Sequence, residues 1–256
     1  DKIKNILSEV KLVTKEQLWD IIHKINPNRK HDYMRFYIFD LVKNNIIYRL
    51  NNKYYKFNDK LKSFQYEYIQ IDNMLKEKIE EKFEGIDVCV WSTSFLSRFL
   101  NLLPTINYTF VEIIQDFQKH LYDYLKKEYN VLINPTEKEL ELYFKGENQV
   151  VIKKLLVRAP LDKPYRHNIA INRNIGKKKF TLYKPTIEKI LVDIFVESEK
   201  YDIFNDIDEI FKGTLKTYCV NFQKLFSYSK YRGVLEEMND FILHSIKYDY
   251  KKGEFI

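Results

Sequence analysis

The amino-acid sequence predicts a mixed α/β protein in which a small N-terminal domain precedes a larger α/β domain with a helical C-terminus. Apolar residues recur at helical spacing through the first part of the chain and are followed by a β-rich hairpin pattern. Beyond residue 58, short apolar runs typical of buried strands alternate with helical segments. We therefore place a first domain at residues 1–60 and a second at 61–256.

Three amphipathic helices are predicted before residue 45. Thr14 and Gln17 have the spacing of a capping box, in which each side chain bonds the backbone of the other residue, so the second helix begins there. It ends before Asn26-Pro27, because a residue that precedes proline is disfavoured in the helical conformation. The apolar stripes are Ile3, Ile6, Leu7 and Val10 in the first helix, Leu18, Ile21, Ile22 and Ile25 in the second, and Met34, Ile38, Leu41 and Val42 in the third.

A β-hairpin is predicted in the segment IIYRLNNKYYKF. Its turn falls at Asn51-Asn52, and asparagine tolerates the left-handed backbone that tight hairpin turns require. Three helices followed by a hairpin have the element order of a winged helix-turn-helix. In that arrangement the third helix enters the DNA major groove and the hairpin, or wing, lies along the backbone.

Positive charge is concentrated in this first domain. Residues 1–57 contain 12 Lys and Arg against 6 Asp and Glu, whereas residues 58–256 contain 31 against 30. An excess of +6 in one module indicates a polyanion as its partner, and we predict double-stranded DNA at a promoter or operator. The predicted DNA-binding residues are Arg29, Lys30, His31, Tyr33 and Arg35 on the third helix, with Arg49 and Lys53 on the wing.

Other interpretations of this module remain open. Winged helices also serve as protein-docking elements, and a basic helix face is often only a solvated surface. Phe36 and Phe39 are expected to pack in the core or between domains, because duplex DNA offers no exposed base faces for stacking.

The second domain alternates strand and helix patterns. The apolar runs IDVCVW, NYTFVEII and NVLINP predict buried strands of a mainly parallel sheet, and QVVIKKLLV and HNIAIN extend it. Helices are predicted in three segments, NMLKEKIEEKF, STSFLSRFLNLL and FQKHLYDYLKKEY. A connecting strand is predicted in KLKSFQYEYIQID. After Tyr183 the pattern is helical to the end of the chain.

Five segments of this domain resemble the C-terminal domain of the AbiEi-type antitoxins. They are WSTSFLSRFL, VEII, VLINP, RAPL and KPTIEKILVDIF. Those proteins place a winged helix before an effector domain with a P-x-x-E-K-x-L-x-D segment, which here is Pro185, Glu188, Lys189, Leu191 and Asp193. The resemblance implies an autorepressor that opposes a nucleotidyltransferase toxin functionally, without a tight complex. The wing differs from the usual pattern, because Asn51-Asn52 replaces a glycine-containing turn.

A structural helix also explains the segment KPTIEKILVDIF. Its isoleucine and leucine residues form one apolar face, and Pro185 suits the first turn. Lys189 can pair with Asp193 four residues later.

The alternative function is a metal-dependent nuclease with a winged-helix targeting domain. Asp87 and Glu112 lie on adjacent predicted strands, and such enzymes gather carboxylates at strand ends to hold a hard cation. The position two residues after Glu112 is Ile114, where nucleases of the PD-(D/E)xK class carry lysine. We therefore assign no catalytic residue, metal ligand or cofactor from the sequence.

Other patterns point to no further chemistry. The histidines have no metal-ligand spacing, and Gly176-Lys177 lacks the rest of a phosphate-binding loop. Cys89 and Cys219 are predicted to be reduced, buried thiols.

No apolar run reaches membrane-spanning length, so a cytoplasmic protein without a membrane partner is expected. A second basic segment, Arg166 to Lys179, could touch flanking DNA, an acidic partner or only solvent.

Overall fold

A computed structural model of the chain describes residues 2–10, 12–58, 60–83, 86–100, 107–146, 149–162, 181–198, 200–201 and 207–256. The mixed α/β class predicted from the sequence is confirmed. The chain folds into two compact units, of which the first combines residues 1–64 with 211–256 and the second is 65–210. The sequence-based boundary at residue 60 lies close to the first division, but the sequence had assigned residues 211–256 to the other domain.

The first unit begins with three helices and a small antiparallel sheet. Its N-terminal elements are α1 (Lys2–Val10), β1 (Leu12–Thr14), α2 (Lys15–Ile25), α3 (Met34–Lys43), β2 (Ile47–Arg49) and β3 (Tyr54–Phe57). The three strands have the order β1-β3-β2. A 3-10 turn, His31–Tyr33, immediately precedes α3. The strand β1 was not predicted, and it pairs Val13 with Tyr55 of the hairpin.

The capping box that the sequence predicts is present. The Gln17 N–H donates to the Thr14 hydroxyl at 3.2 Å, and the Thr14 N–H donates to the Gln17 side chain at 2.9 Å. The core of this region is made by the inward residues Leu7, Val13, Leu18, Ile22, Met34, Ile38, Leu41 and Ile47. Val10, Ile25 and Val42 were expected in these stripes, but all three are exposed.

The second unit contains a six-stranded mixed sheet. Its strands are β4 (Asp87–Ser92), β5 (Tyr108–Ile113), β6 (Asn130–Ile133), β7 (Gln149–Lys154), β8 (Leu161–Asp162) and β9 (Thr181–Pro185), in the order β6-β7-β5-β4-β9-β8. Its helices are α4 (Gln70–Lys82), α5 (Gln118–Leu125), α6 (Glu137–Tyr143) and α7 (Ile187–Glu197). The β4–β5 and β8–β9 pairings are antiparallel and the other three are parallel.

The two faces of this sheet differ because side chains alternate along each strand. One face carries Val88, Val90, Val111 and Ile113, which belong to the same apolar cluster as Leu75 of α4 and Leu121 of α5. The other face carries Trp91 and Glu112, and Lys189 of α7 contacts both. The sheet therefore has an apolar face and a face with buried charge.

The C-terminal segment completes the first unit by packing on the hairpin. Its elements are α8 (Ile207–Thr217), which spans the boundary between the units, and α9 (Phe222–Arg232), α10 (Leu235–Asp240), β10 (Tyr248–Asp249) and β11 (Glu254–Phe255). The N–H of Phe222 donates to the carbonyl of Leu50 at 3.0 Å. Gly253 has a φ of +71°, and a Cβ there would lie 3.0 Å from Leu50 Cδ1. Leu50 is fully buried as a result.

Several sequence-based assignments differ from the structure. Residues 93–99 form a 3-10 helix rather than an α-helix, and the helix α6 was not predicted. The segment KLKSFQYEYIQID contains an isolated bridge from Lys62 to Tyr218 instead of a strand. The part after Tyr183 was predicted to be helical throughout, but it ends in the paired strands β10 and β11. Pro185 was predicted in the first turn of a helix, but it ends strand β9, and α7 begins at Ile187 after the N-cap Thr186. The segment HNIAIN and the basic segment Arg166 to Lys179 lie outside the described residues.

Candidate nucleic-acid interface

The third helix, α3, buries one side and exposes the other. Met34, Ile38 and Leu41 are its buried residues. At 3.6 residues per turn, Phe36 and Lys43 lie roughly opposite that stripe, with Phe39 beside them. The outward side of α3 is therefore partly apolar at its centre.

The predicted basic residues surround the start of α3. Lys30, His31, Tyr33 and Arg35 are exposed. Arg29 is half-buried, because its guanidinium lies over the Tyr37 ring at 4.1 Å. Arg29 was predicted to lie on the third helix, but α3 begins at Met34 and Arg29 precedes it.

His31 is held beside the second helix. Its ring is nearly perpendicular to that of Trp19, with ring centroids 5.3 Å apart. Within the described part of the chain, neither Lys30 nor Arg35 forms an ion pair with a carboxylate. The positive charge at the start of α3 is thus available to an anionic partner.

Phe36 and Phe39 are not core residues, which contradicts the first of the two positions expected for them from the sequence, the core or a contact between domains. Their exposed fractions are 64% and 62%. The Tyr33 ring, also exposed, lies 6.1 Å from that of Phe36. We call Tyr33, Phe36 and Phe39 the aromatic patch.

The turn of the hairpin is closed by a side chain. The Asn51 Oδ1 accepts hydrogen bonds from the backbone N–H groups of Lys53 and Tyr54, each at 3.0 Å. Left-handed backbone was predicted at Asn51-Asn52, but neither residue is among the described residues with positive φ; the nearest such residue is Asn45, before β2. Arg49 and Lys53 are exposed on the hairpin, as their assignment to a wing requires.

A second group of charged and polar side chains lies buried in the other unit. Lys189 Nζ donates to Glu112 Oε1 and, at 2.7 Å, to Asp193 Oδ2. The Trp91 indole N–H donates to the same Glu112 oxygen at 2.8 Å. The predicted pairing of Lys189 with Asp193 is confirmed. We call these four residues the buried ion cluster.

The buried ion cluster sets the local chemistry of β4. Cys89 lies directly opposite Glu112 in the strand pairing. Burial raises the pKa of the Cys89 thiol well above its ordinary value, although nearby Lys189 lowers it in part. Cys89 is therefore a neutral thiol. Both cysteines are free, and Cys219 is only partly buried.

The nuclease pair is not assembled as that alternative requires. Glu112 is occupied by Lys189 and Trp91, while Asp87 is exposed at the start of β4. The residues that the structure describes contain no group of three or more His, Cys, Asp or Glu side chains able to hold a metal ion.

Sequence reasoning missed the partner of Glu112. Lys189 lies 77 residues away along the chain, so no local spacing pairs the two residues. The available signal was the presence of Glu188, Lys189 and Asp193 on a helix that is apolar on its remaining sides. Charged residues in such a helix indicate burial with partners from elsewhere in the fold.

The fold and these surfaces define a mixed α/β protein with a basic, partly aromatic helix face in one unit and a buried ion cluster in the other. The chain belongs to the family described as "Family of unknown function (DUF6577)", whose model matches residues 33–248. No curated protein matches the chain. None of the described helices has both the length and the apolar character needed to cross a lipid bilayer.

Proposed function

We propose that this protein is a DNA-binding transcriptional regulator whose first unit contains a winged helix-turn-helix. The observation that carries the proposal is the exposed positive charge at the start of α3, together with Arg49 and Lys53 on the hairpin. The chain order α1-β1-α2-α3-β2-β3 is the order of elements in a winged helix, which supports the assignment of α3 as the recognition helix.

Electrostatic attraction between this surface and DNA does not depend on the fold assignment. The phosphates of duplex DNA attract exposed Lys and Arg side chains, and each neutralised phosphate releases counterions. Binding is then expected to weaken steeply as salt concentration rises. A surface that is only solvated has no such dependence.

The proposal is tested by combining Arg29→Ala, Lys30→Ala and Arg35→Ala in the full chain. Fluorescence anisotropy with a labelled mixed-sequence duplex measures affinity across a salt series. We expect at least a tenfold decrease in affinity at low salt. The slope of log affinity against log salt concentration should become shallower by up to roughly 0.9 for each phosphate that the variant no longer neutralises.

A matched control removes the same charge elsewhere. Lys127, Lys138 and Lys145 are exposed in the second unit, and their triple alanine variant lowers the net charge equally. If both triple variants bind DNA equally well, the α3 face is not the DNA site. If the wild-type protein does not bind duplex DNA at low salt, the proposed function is wrong.

The antitoxin role remains a proposal that rests on the family resemblance in the second unit. Its test is growth of cells that express a neighbouring nucleotidyltransferase with and without this protein. The nuclease alternative stays a prediction as well, and the occupation of Glu112 by Lys189 and Trp91 favours a structural role for that carboxylate.

A further inference from the structure

The aromatic patch lies where a recognition helix reads bases, and its chemistry is unlike that of the cations beside it. Phe36 lies roughly opposite the buried stripe of α3, and Phe36 and Phe39 are more than half exposed. Two phenylalanines held open to water on one helix turn indicate a partner with apolar groups.

We infer that Phe36 and Phe39 contact the 5-methyl groups of thymine in the DNA major groove. This inference rests on the proposed function, and it adds a preference for thymine-containing sites. The thymine methyl is the apolar group that base edges present in the major groove, and phenylalanine is among the side chains that contact it.

The spacing of the two rings suits neighbouring base pairs. Residues three apart on a helix advance about 4.5 Å along its axis and lie on the same face. Base pairs along one DNA strand are about 3.4 Å apart. Two phenylalanines at this spacing reach methyl groups on adjacent or next-but-one base pairs.

The surrounding charge favours DNA over a second copy of the chain as the occupant. Lys30, Arg35 and Lys43 lie around the patch, and the acidic Asp32 and Asp40 are fewer. A two-fold contact centred on Phe36 would bring the neighbouring Arg35 close to its own copy, which is unfavourable. A polyanion with apolar groups in its groove matches both the cations and the rings.

The test compares duplexes that differ only in the methyl group. One duplex contains alternating adenine and thymine, and the other contains deoxyuridine in place of thymidine, so the phosphate charge is the same. Affinities are measured for the full-length wild type, for Phe36→Ala/Phe39→Ala, and for Leu142→Ala, which removes an exposed apolar side chain in the other unit.

We expect the wild type and Leu142→Ala to bind the thymine duplex more tightly than the uracil duplex, by about fourfold if one methyl group is buried and about sixteenfold if two are. The double variant is expected to show no such ratio and to keep its affinity for the uracil duplex. Both phenylalanines are exposed on a helix, so alanine should leave the fold intact, and circular dichroism checks this.

Three results separate the two proposals. Equal binding of both duplexes by the wild type overturns methyl contact and leaves DNA binding in place. A wild type that binds neither duplex overturns the proposed function itself. If light scattering shows that the wild type is a dimer and that Phe36→Ala/Phe39→Ala is a monomer, the aromatic patch is a self-association surface and methyl contact is wrong.

Discussion

Lys189 on α7 donates hydrogen bonds to Glu112 on β5 and to Asp193 one helical turn away, and all three side chains are buried. One ammonium group thus serves two carboxylates, and the Trp91 N–H assists at Glu112. Removing one partner of a buried ion pair leaves an uncompensated charge in a medium of low dielectric constant.

We therefore expect Lys189→Met to lower the free energy of unfolding of the second unit by about 3–5 kcal/mol. The measurement is denaturant unfolding followed by Trp91 fluorescence in a Trp19→Phe background, since the chain has two tryptophans.

Lys154→Met, at an exposed position on β7, is the control for Lys189→Met. The triple variant Glu112→Gln/Lys189→Met/Asp193→Asn should recover part of the stability, because it removes the two carboxylates together with the ammonium group that pairs with them. Equal stability of Lys189→Met and Lys154→Met would contradict the structural role of the cluster.

Asp72 predicts a pH dependence of stability. Its carboxylate accepts hydrogen bonds from the Tyr66 hydroxyl at 2.8 Å and the Ile69 N–H at 3.1 Å. Burial nevertheless raises the pKa of Asp72 from 3.8 to about 6. Between these values the folded protein holds a proton that the unfolded chain has released, so the contribution of Asp72 to stability falls as pH rises from about 4 to 6 and is constant above that.

The substitution Asp72→Asn removes this ionisation. We expect its stability relative to wild type to increase by on the order of 1–3 kcal/mol between pH 4 and pH 6.5. Thermal or urea unfolding across that pH range measures the difference. Asp116→Asn, at an exposed position in the same unit, should show no such trend. A difference for Asp72→Asn that does not change with pH would mean that Asp72 does not titrate in this range.

The C-terminal segment should be required for the first unit to fold stably. A fragment of residues 1–64 lacks α9 and the turn at Gly253, so the buried Leu50 and its backbone carbonyl are left without their partners. We expect this fragment to unfold at much lower temperature than the first unit of the full chain. Fluorescence of Trp19 follows the fragment directly, and a Trp91→Phe full chain is the reference. A fragment as stable as the reference would show that the C-terminal segment is dispensable.

The turn of the β2–β3 hairpin depends on one side chain. Asn51→Ala removes the acceptor of the Lys53 and Tyr54 N–H groups, which should cost about 1–2 kcal/mol and loosen the hairpin. Under the proposed function, affinity for duplex DNA should fall as well, because Arg49 and Lys53 are then less well placed. Asn52→Ala is the neighbouring control in the same turn. Amide hydrogen exchange at Tyr54 reports the turn itself, and unchanged protection in Asn51→Ala would contradict this account.

Local patterns predicted the local elements well. The Thr14 and Gln17 capping box, the helix end at Asn26-Pro27 and the hairpin around residue 51 depend on interactions within a few residues. The strands β4 to β7 follow from short apolar runs. An apolar run is expected to be buried whichever segment packs against it. The i to i+4 pairing of Lys189 with Asp193 is also local in the chain, so it could be predicted from spacing alone.

By itself, the sequence determined the mixed α/β class, the positions of most helices and strands, and the excess of positive charge in residues 1–57. Only the tertiary structure decided that Lys189 contacts Glu112, that residues 211–256 belong to the same unit as the N-terminal segment, and that Phe36 and Phe39 are exposed. Helix periodicity and capping arise from neighbours along the chain, whereas the burial of a charge or an aromatic ring depends on which distant segments pack against it. A phenylalanine therefore looks the same in sequence whether it lies in the core or faces a partner.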